Sequence, residues 1–288
     1  MKIGVVFPQT EIGPDASTVR AYAEAAEGAG FSHLMVYDHV LGASVANRPD
    51  FRGPYTSKSQ FHEPFVLFGF LAAITRNLEM VTGVIILPQR QTALVAKQAA
   101  AVDRLSNGRL RFGIGTGWND VEYIALNENF HNRGRRMDEQ IEVMRALWTN
   151  EVVNFQGRYH TIPDAGINPL PVQQPIPIWI GGYADIVMER IGRVGDGWFP
   201  GSQPGDALER LKEQVNEAAA AAGRDPGAIG MEGRISLKPD AEVEWMAQTE
   251  GWRNAGATHM SINTMGSGRA PGEHIDTIVR YGELMRRG

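Results

Sequence analysis

The chain has no cysteine. A disulfide framework, a thiolate zinc site, an iron–sulfur cluster and a cysteine nucleophile are therefore excluded. Its seven histidines are scattered. No pair has metal-binding spacing such as HExxH, so no metal site is expected. No serine stands in a GxSxG elbow. No GxxxxGK[ST] loop is present, which argues against nucleoside triphosphate hydrolysis. Positive charge is in deficit: 28 Lys and Arg face 33 Asp and Glu, for a net charge of −5. Neither nucleic acid nor an anionic membrane is an expected partner. Long apolar runs are missing too. The most apolar window, 65–74, is far shorter than the roughly 20 residues that span a bilayer. The apolar run after Lys2 ends at Pro8, with Glu11 and Asp15 following, so no signal-peptide core is seen. These absences predict a soluble, cytoplasmic protein whose partner is a small-molecule substrate.

What remains is ordinary globular composition, 43% hydrophobic and 21% charged, in strict alternation of two patterns. Short β-rich runs occupy 3–7 (IGVVF), 33–37 (HLMVY), 78–87 (LEMVTGVIIL), 110–114 (LRFGI), 178–180 (IWI), 197–199 (GWF), 229–237 and 259–263 (HMSIN). Helical patterns follow each in turn, at 17–29, 64–75, 92–105, 120–148, 185–194, 207–222, 242–254 and 272–285. Ser17 is an N-cap candidate, and Gly30 stands where a helix terminator would. Strand-then-helix repetition means parallel strands joined by right-handed crossovers. About eight such units predict one (β/α)8 TIM barrel, a single domain over residues 1–288. Residues 151–176 are an insertion, with a hairpin signal (VVNFQGRYH) and a Pro-rich passage. An open doubly wound sheet is the alternative; at this length it usually has fewer strands or a second domain.

A barrel places its chemistry at the C-terminal ends of the strands. Asp38-His39 stands at the second such end. The pair could hold and tune a proton carrier near neutral pH, or Asp38 could cap the next loop and leave His39 solvated. Gly83 interrupts a β-branched strand, which marks either a bulge near a ligand or a packing demand from a neighbouring helix. GIGTGW (113–118) has glycines at every second position; it is not the dinucleotide fingerprint. It either lines a narrow barrel or bares backbone N–H groups. Gly181-Gly182, before a helix, is an anion-site candidate, with Gly266-Ser267-Gly268 as competitor. Arg133, Arg135 and Arg136 read better as a solvated face than as a phosphate site. Trp118, Tyr123, Trp198 and Phe199 could wall a flat ligand or fill the core.

Taken together, the segments KIGVVFPQ, YDHV, EPFVLFGFLAAITRNLEMVTGVIILPQR, AKQAAAVDRLSNGRLRFGIGTGW, RGRRMDEQIEVMRALWT, PVQQPIPIWIGG and RVGDGWFPG resemble the luciferase-like monooxygenase superfamily. The nearer likeness is to its coenzyme F420-dependent oxidoreductases, and it covers residues 1–285. The resemblance implies a cofactor ring in the barrel mouth, next to Asp38 and His39. It implies a bulge with a non-prolyl cis peptide at Gly83-Val84, beside Thr82, backing the ring. It places Thr116, Gly117 and Trp118 beside the cofactor, and its phosphate at Gly181-Gly182, next to Tyr183. It also implies a homodimer. His39 would be the acid/base, with Asp38 orienting it or bonding the ring. Trp118 stands where the sugar-phosphate dehydrogenase branch has an acid, and that branch's cationic contacts are not matched. A sugar phosphate is therefore not the expected substrate; a small apolar or aromatic one is. The resemblance thus implies hydride transfer with F420. FMN-dependent monooxygenation is the alternative, and a non-catalytic flavin-binding protein a second one.

Overall fold

A computed structural model describes residues 1–239 and 241–287. The strands run β1 (Lys2–Val6), β2 (His33–Val36), β3 (Glu79–Thr82), β4 (Ile85–Ile86), β5 (Leu110–Gly115), β6 (Val153–Gln156), β7 (Thr161–Ala165), β8 (Ile178–Gly182), β9 (Gly197–Pro200), β10 (Gly230–Ser236) and β11 (His259–Asn263). All but β6 and β7 join one sheet in the order β3-β2-β1-β11-β10-β9-β8-β5-β4, and a further β3–β5 pairing closes it. Every pairing in that sheet is parallel. β3 and β4 are two halves of one strand broken at Gly83-Val84, so eight strand positions close a (β/α)8 barrel. The peptide between Gly83 and Val84 is cis. β6 and β7 form an antiparallel hairpin within the 151–176 insertion.

The helices are α1 (Ala16–Gly28), α2 (Pro64–Ile74), α3 (Thr92–Leu105), α4 (Asp120–Ala125), α5 (Arg133–Thr149), α6 (Asp185–Val194), α7 (Asp206–Ala221), α8 (Glu242–Asn254) and α9 (Pro271–Arg287). The 120–148 pattern is not one helix. It breaks after Ala125, and Asn127 takes the left-handed conformation at φ 59°, which Asn tolerates better than most residues. The separate helix α4 carries Glu122, which reaches the segment after β2.

Side chains alternate in and out along each strand. Outward residues such as Val5, Leu34, Ile114, Ile180 and Ile262 are buried against the helices. Inward residues form layers. The lowest layer is charged. Arg111 ion-pairs with Glu232 and, at 2.9 Å, with Glu79. Ser261 Oγ donates to Glu232 Oε1 at 2.6 Å, and His33 Nε2 lies 3.0 Å from the same oxygen. Gly4 makes room for that imidazole; a Cβ there would come within 2.2 Å of it. The next layer is apolar: Val6, Met35 and Val81, with Phe199 packed on them. Above it, Tyr37 and the glycines of the third to fifth strand positions floor the mouth.

The charged layer makes the fold acid-sensitive. Burial would push the Glu232 carboxyl up, but Arg111 and His33 hold it far below the usual range. Burial, with the charges of Arg111 and His33, lowers His259 from 6.5 to about 3. The unfolded chain accepts a proton on that ring which the folded chain refuses. Its contribution to stability is therefore full above pH 6.5 and lost as the pH falls from 6.5 towards 3. The thermal midpoint should drop between pH 7.5 and 5, and His259→Gln should flatten that part of the curve. Equal slopes for the two proteins would remove His259 from the account.

Candidate active site

The C-terminal strand ends open into a cavity of about 510 Å³. Every residue expected at the site lines it except Thr82. The Thr82 hydroxyl is spent inside the wall: it donates to Gly113 O at 2.7 Å and accepts from Gly113 N at 2.8 Å. It staples β3 to β5 where the strand is about to break and has no free polar atom for a ligand.

Val84 is the centre of the cavity's back wall. A Cβ added at Gly115 would lie 2.7 Å from Val84 Cγ2, and one at Gly181 3.0 Å from Val84 Cγ1. The bare backbone of two neighbouring strands thus shapes a flat slot around one isopropyl group. Gly83 has a different reason. Its absent Cβ would meet Met35 Sδ at 2.5 Å, so the glycine answers the apolar layer inside the barrel and not a neighbouring helix. Gly182, at φ +150°, adopts a backbone that L side chains rarely enter, and a Cβ would lie 2.9 Å from Val187. It turns the chain from β8 towards α6, which begins two residues after Tyr183.

His39 sits at the cavity's edge, its ring against Tyr55 and Phe61 (centroids 4.9 Å for both) and Trp118 (5.7 Å). Its Nδ1 lies 3.2 Å from Glu122 Oε2. Glu122 Oε1 accepts from the backbone N–H of Val40 at 2.8 Å and Leu41 at 3.1 Å. Burial alone would raise this carboxyl, which is 1% exposed, but the His39 ring and the two backbone donors hold it below its usual range. An ionised Glu122 makes Nδ1 the donor. Nε2 has no partner among the described residues and is left to exchange a proton.

Asp38 does not orient His39. Its carboxylate accepts from Ile86 N at 3.1 Å and from Arg90 at 2.7 Å, and Arg90 also bonds Glu63 at 2.9 Å. Burial pushes the Asp38 carboxyl up, and Arg90 and the Ile86 amide work against it. Residues 38 and 39 are thus held by different partners, Asp38 by Arg90 and the Ile86 amide and His39 by Glu122. Asp38 pins the half-strand β4 while Glu63 caps α2 through Val66 N.

The competing glycine turn is already filled. The N–H groups of Gly266 and Gly268 donate to Glu11 at 3.1 and 2.9 Å, so it is an anion site satisfied by the chain's own carboxylate. Of the basic cluster, Arg135 is exposed and Arg136 pairs with Glu128. Arg133 is the correction to the solvated-face reading. It lines the cavity, stacked over Phe130 with its Cζ 3.7 Å from the ring centroid. The aromatics divide. Tyr123 and Trp198 fill the core, Phe199 joins the apolar layer, and Trp118, 42% exposed, walls the cavity.

Comparison with known proteins agrees with this geometry. The family model of the luciferase-like monooxygenases matches residues 1–283. An uncharacterised protein of Mycobacterium tuberculosis is 35% identical over 223 residues, covering 76% of this chain and 77% of that one. An F420-dependent glucose-6-phosphate dehydrogenase of Segniliparus rotundus is 33% identical over 236 residues, covering 78% of this chain and 65% of that one. Among solved structures, an F420-dependent secondary alcohol dehydrogenase bound to an F420–acetone adduct superposes with a TM-score of 0.79 at 20% identity, over 97% of both chains.

Proposed function

This chain belongs to the luciferase-like monooxygenase family, and on that premise we propose that it is an F420-dependent oxidoreductase acting on a small organic substrate. One juxtaposition supports the reading above the rest: a slot bared by Gly115 and Gly181 around Val84, with a proton carrier, His39, held at its edge. A flat tricyclic ring would rest on the Val84 isopropyl group, which a Cβ at Gly115 or Gly181 would push out of place. The relatives named for F420 favour the deazaflavin over FMN.

Bound F420 supplies a ring carbon that gives or accepts a hydride, as a nicotinamide does. The chain's own groups do the remainder. Val84 and the glycine backbones support the ring's face. The backbone N–H groups of the Gly181-Gly182 turn and the Arg133 guanidinium would hold the phosphate end. Glu122 keeps the His39 ring in one tautomer, and Nε2 gives or takes the proton on the substrate oxygen. Trp118, Tyr55 and Phe61 exclude water from that exchange. The same reading carries a homodimer, a cytoplasmic location, and neither nucleic acid nor a membrane as partner. No helix among the described residues is long and apolar enough to cross a membrane.

Separate titrations with F420 and FMN, followed by fluorescence quenching, test the assignment. F420 is expected to saturate and FMN not to. Reduced F420 should then be consumed without oxygen once an oxidised substrate is supplied. Saturation by FMN, with oxygen-dependent consumption of the reduced form, would replace hydride transfer by monooxygenation.

A further inference from the structure

Arg234 stands on β10, two residues after Glu232, so both point into the barrel. Glu232 lies in the lowest layer, already bonded by Arg111, His33 and Ser261. Arg234 stands one layer higher and lines the cavity. One of its N–H groups donates to Tyr37 Oη at 2.6 Å. It has no acidic partner among the described residues. Two other arginines near the barrel interior are both neutralised: Arg111 by Glu232 and Glu79, and Arg90 by Asp38 and Glu63.

We propose that Arg234 anchors a carboxylate, or an equivalent oxyanion, on the substrate, so that the substrate is a small acid with an apolar or aromatic body. The inference rests on the F420 reading only in taking the slot beside Val84 for the cofactor. A guanidinium offers five donors in a planar fork that matches a carboxylate in two-point contact. With one donor on Tyr37, the others face a chamber whose aromatic walls include Tyr37, Tyr55 and Trp118. The residue is exposed to the cavity, so an incoming anion can reach its free donors without breaking an ion pair made by any described residue. Its place in the ring of strands separates it from the cofactor's phosphate end. The slot and the Gly181-Gly182 turn occupy the third to fifth strand positions, whereas Arg234 is on the seventh, reaching across to Tyr37 beyond the second. The cavity's other cation without an acidic partner, Arg133, lies at the slot end. The two cations thus serve two different anions.

The probes are benzoate and its neutral isostere benzamide, titrated by calorimetry into the cofactor-loaded protein. Benzoate is expected to bind at least about tenfold more tightly, the scale of one charge-assisted pair. Arg234→Gln should erase that preference and leave cofactor affinity as in the unsubstituted protein. Tyr37→Phe, which keeps the guanidinium, should retain the preference. Three outcomes overturn the proposal: equal binding of the two probes or none of either, a benzoate preference that survives Arg234→Gln, and loss of F420 affinity in Arg234→Gln. The last would assign the guanidinium to the cofactor's own acidic tail. Should the protein take FMN, the same titrations on FMN-loaded protein still decide the role of Arg234, so failure of the cofactor assignment and failure of this one are separable.

Discussion

His39→Ala is expected to cut turnover by roughly 10²–10⁴-fold, the usual range for a lost general acid or base, while cofactor affinity stays nearly unchanged. The imidazole touches aromatic rings and one carboxylate. It carries none of the slot's backbone, so its loss should spare the ring's seat. Glu122→Gln provides the companion measurement. The amide can still accept from Val40 and Leu41 but no longer carries the charge that makes His39 Nδ1 the donor. Its effect should fall on kcat and not on KM. It should also vanish in a His39→Ala background, because two residues acting through one proton are not additive. A Glu122→Gln penalty that persists without His39 would reduce Glu122 to a staple for the 39–41 turn. Unchanged turnover in His39→Ala would place the proton carrier elsewhere in the cavity.

Arg111→Met should be the most destabilising single change away from the mouth. It removes the guanidinium that pairs with Glu232, and both residues are 3% exposed. The carboxylate left behind keeps Ser261 and His33 but loses its charge partner in a dry layer. Breaking one side of such a buried pair costs about 3–5 kcal/mol. The guanidinium also lies 4.4 Å over the Trp179 ring, a contact that methionine replaces only in part. Urea unfolding of the unloaded protein measures the effect. Arg111→Met combined with Glu232→Gln should recover part of the loss, since the fully buried carboxylate that lost its guanidinium is no longer charged. A single substitution that leaves the midpoint where it was would show the layer to be far wetter than its burial indicates.

The alternation of β-rich runs with helical patterns determined parallel strands with crossover helices and favoured the barrel over an open sheet, because eight such units in one domain have few ways to close. It also determined where the chemistry would sit. Asp38, His39, Val84, Gly117, Trp118 and Gly181 were all legible as strand-end residues, and they meet in one cavity. The glycine rhythm of GIGTGW was legible for the same reason: a period of two puts Gly113, Gly115 and Gly117 on one face.

What each of these groups bonds to was not legible. Glu122, the partner of His39, is 83 residues away in the chain. It stands three residues after the N-cap Asn119, where a helix would use an acid for its own first turn. Arg90, Arg133 and Arg234 show no local sign of their employment, and only the closed barrel separates the two without acidic partners from the one held by Asp38 and Glu63. The Gly266–Gly268 turn looks as fit for a phosphate as Gly181-Gly182 until Glu11, from the first strand's loop, is seen to occupy it. Gly83 is required by Met35 on the adjacent strand. Periodicity assigns a residue to a face. Its partner comes from a strand or loop that barrel closure brings alongside, at a sequence separation no local pattern encodes, and so the tertiary structure alone decided it.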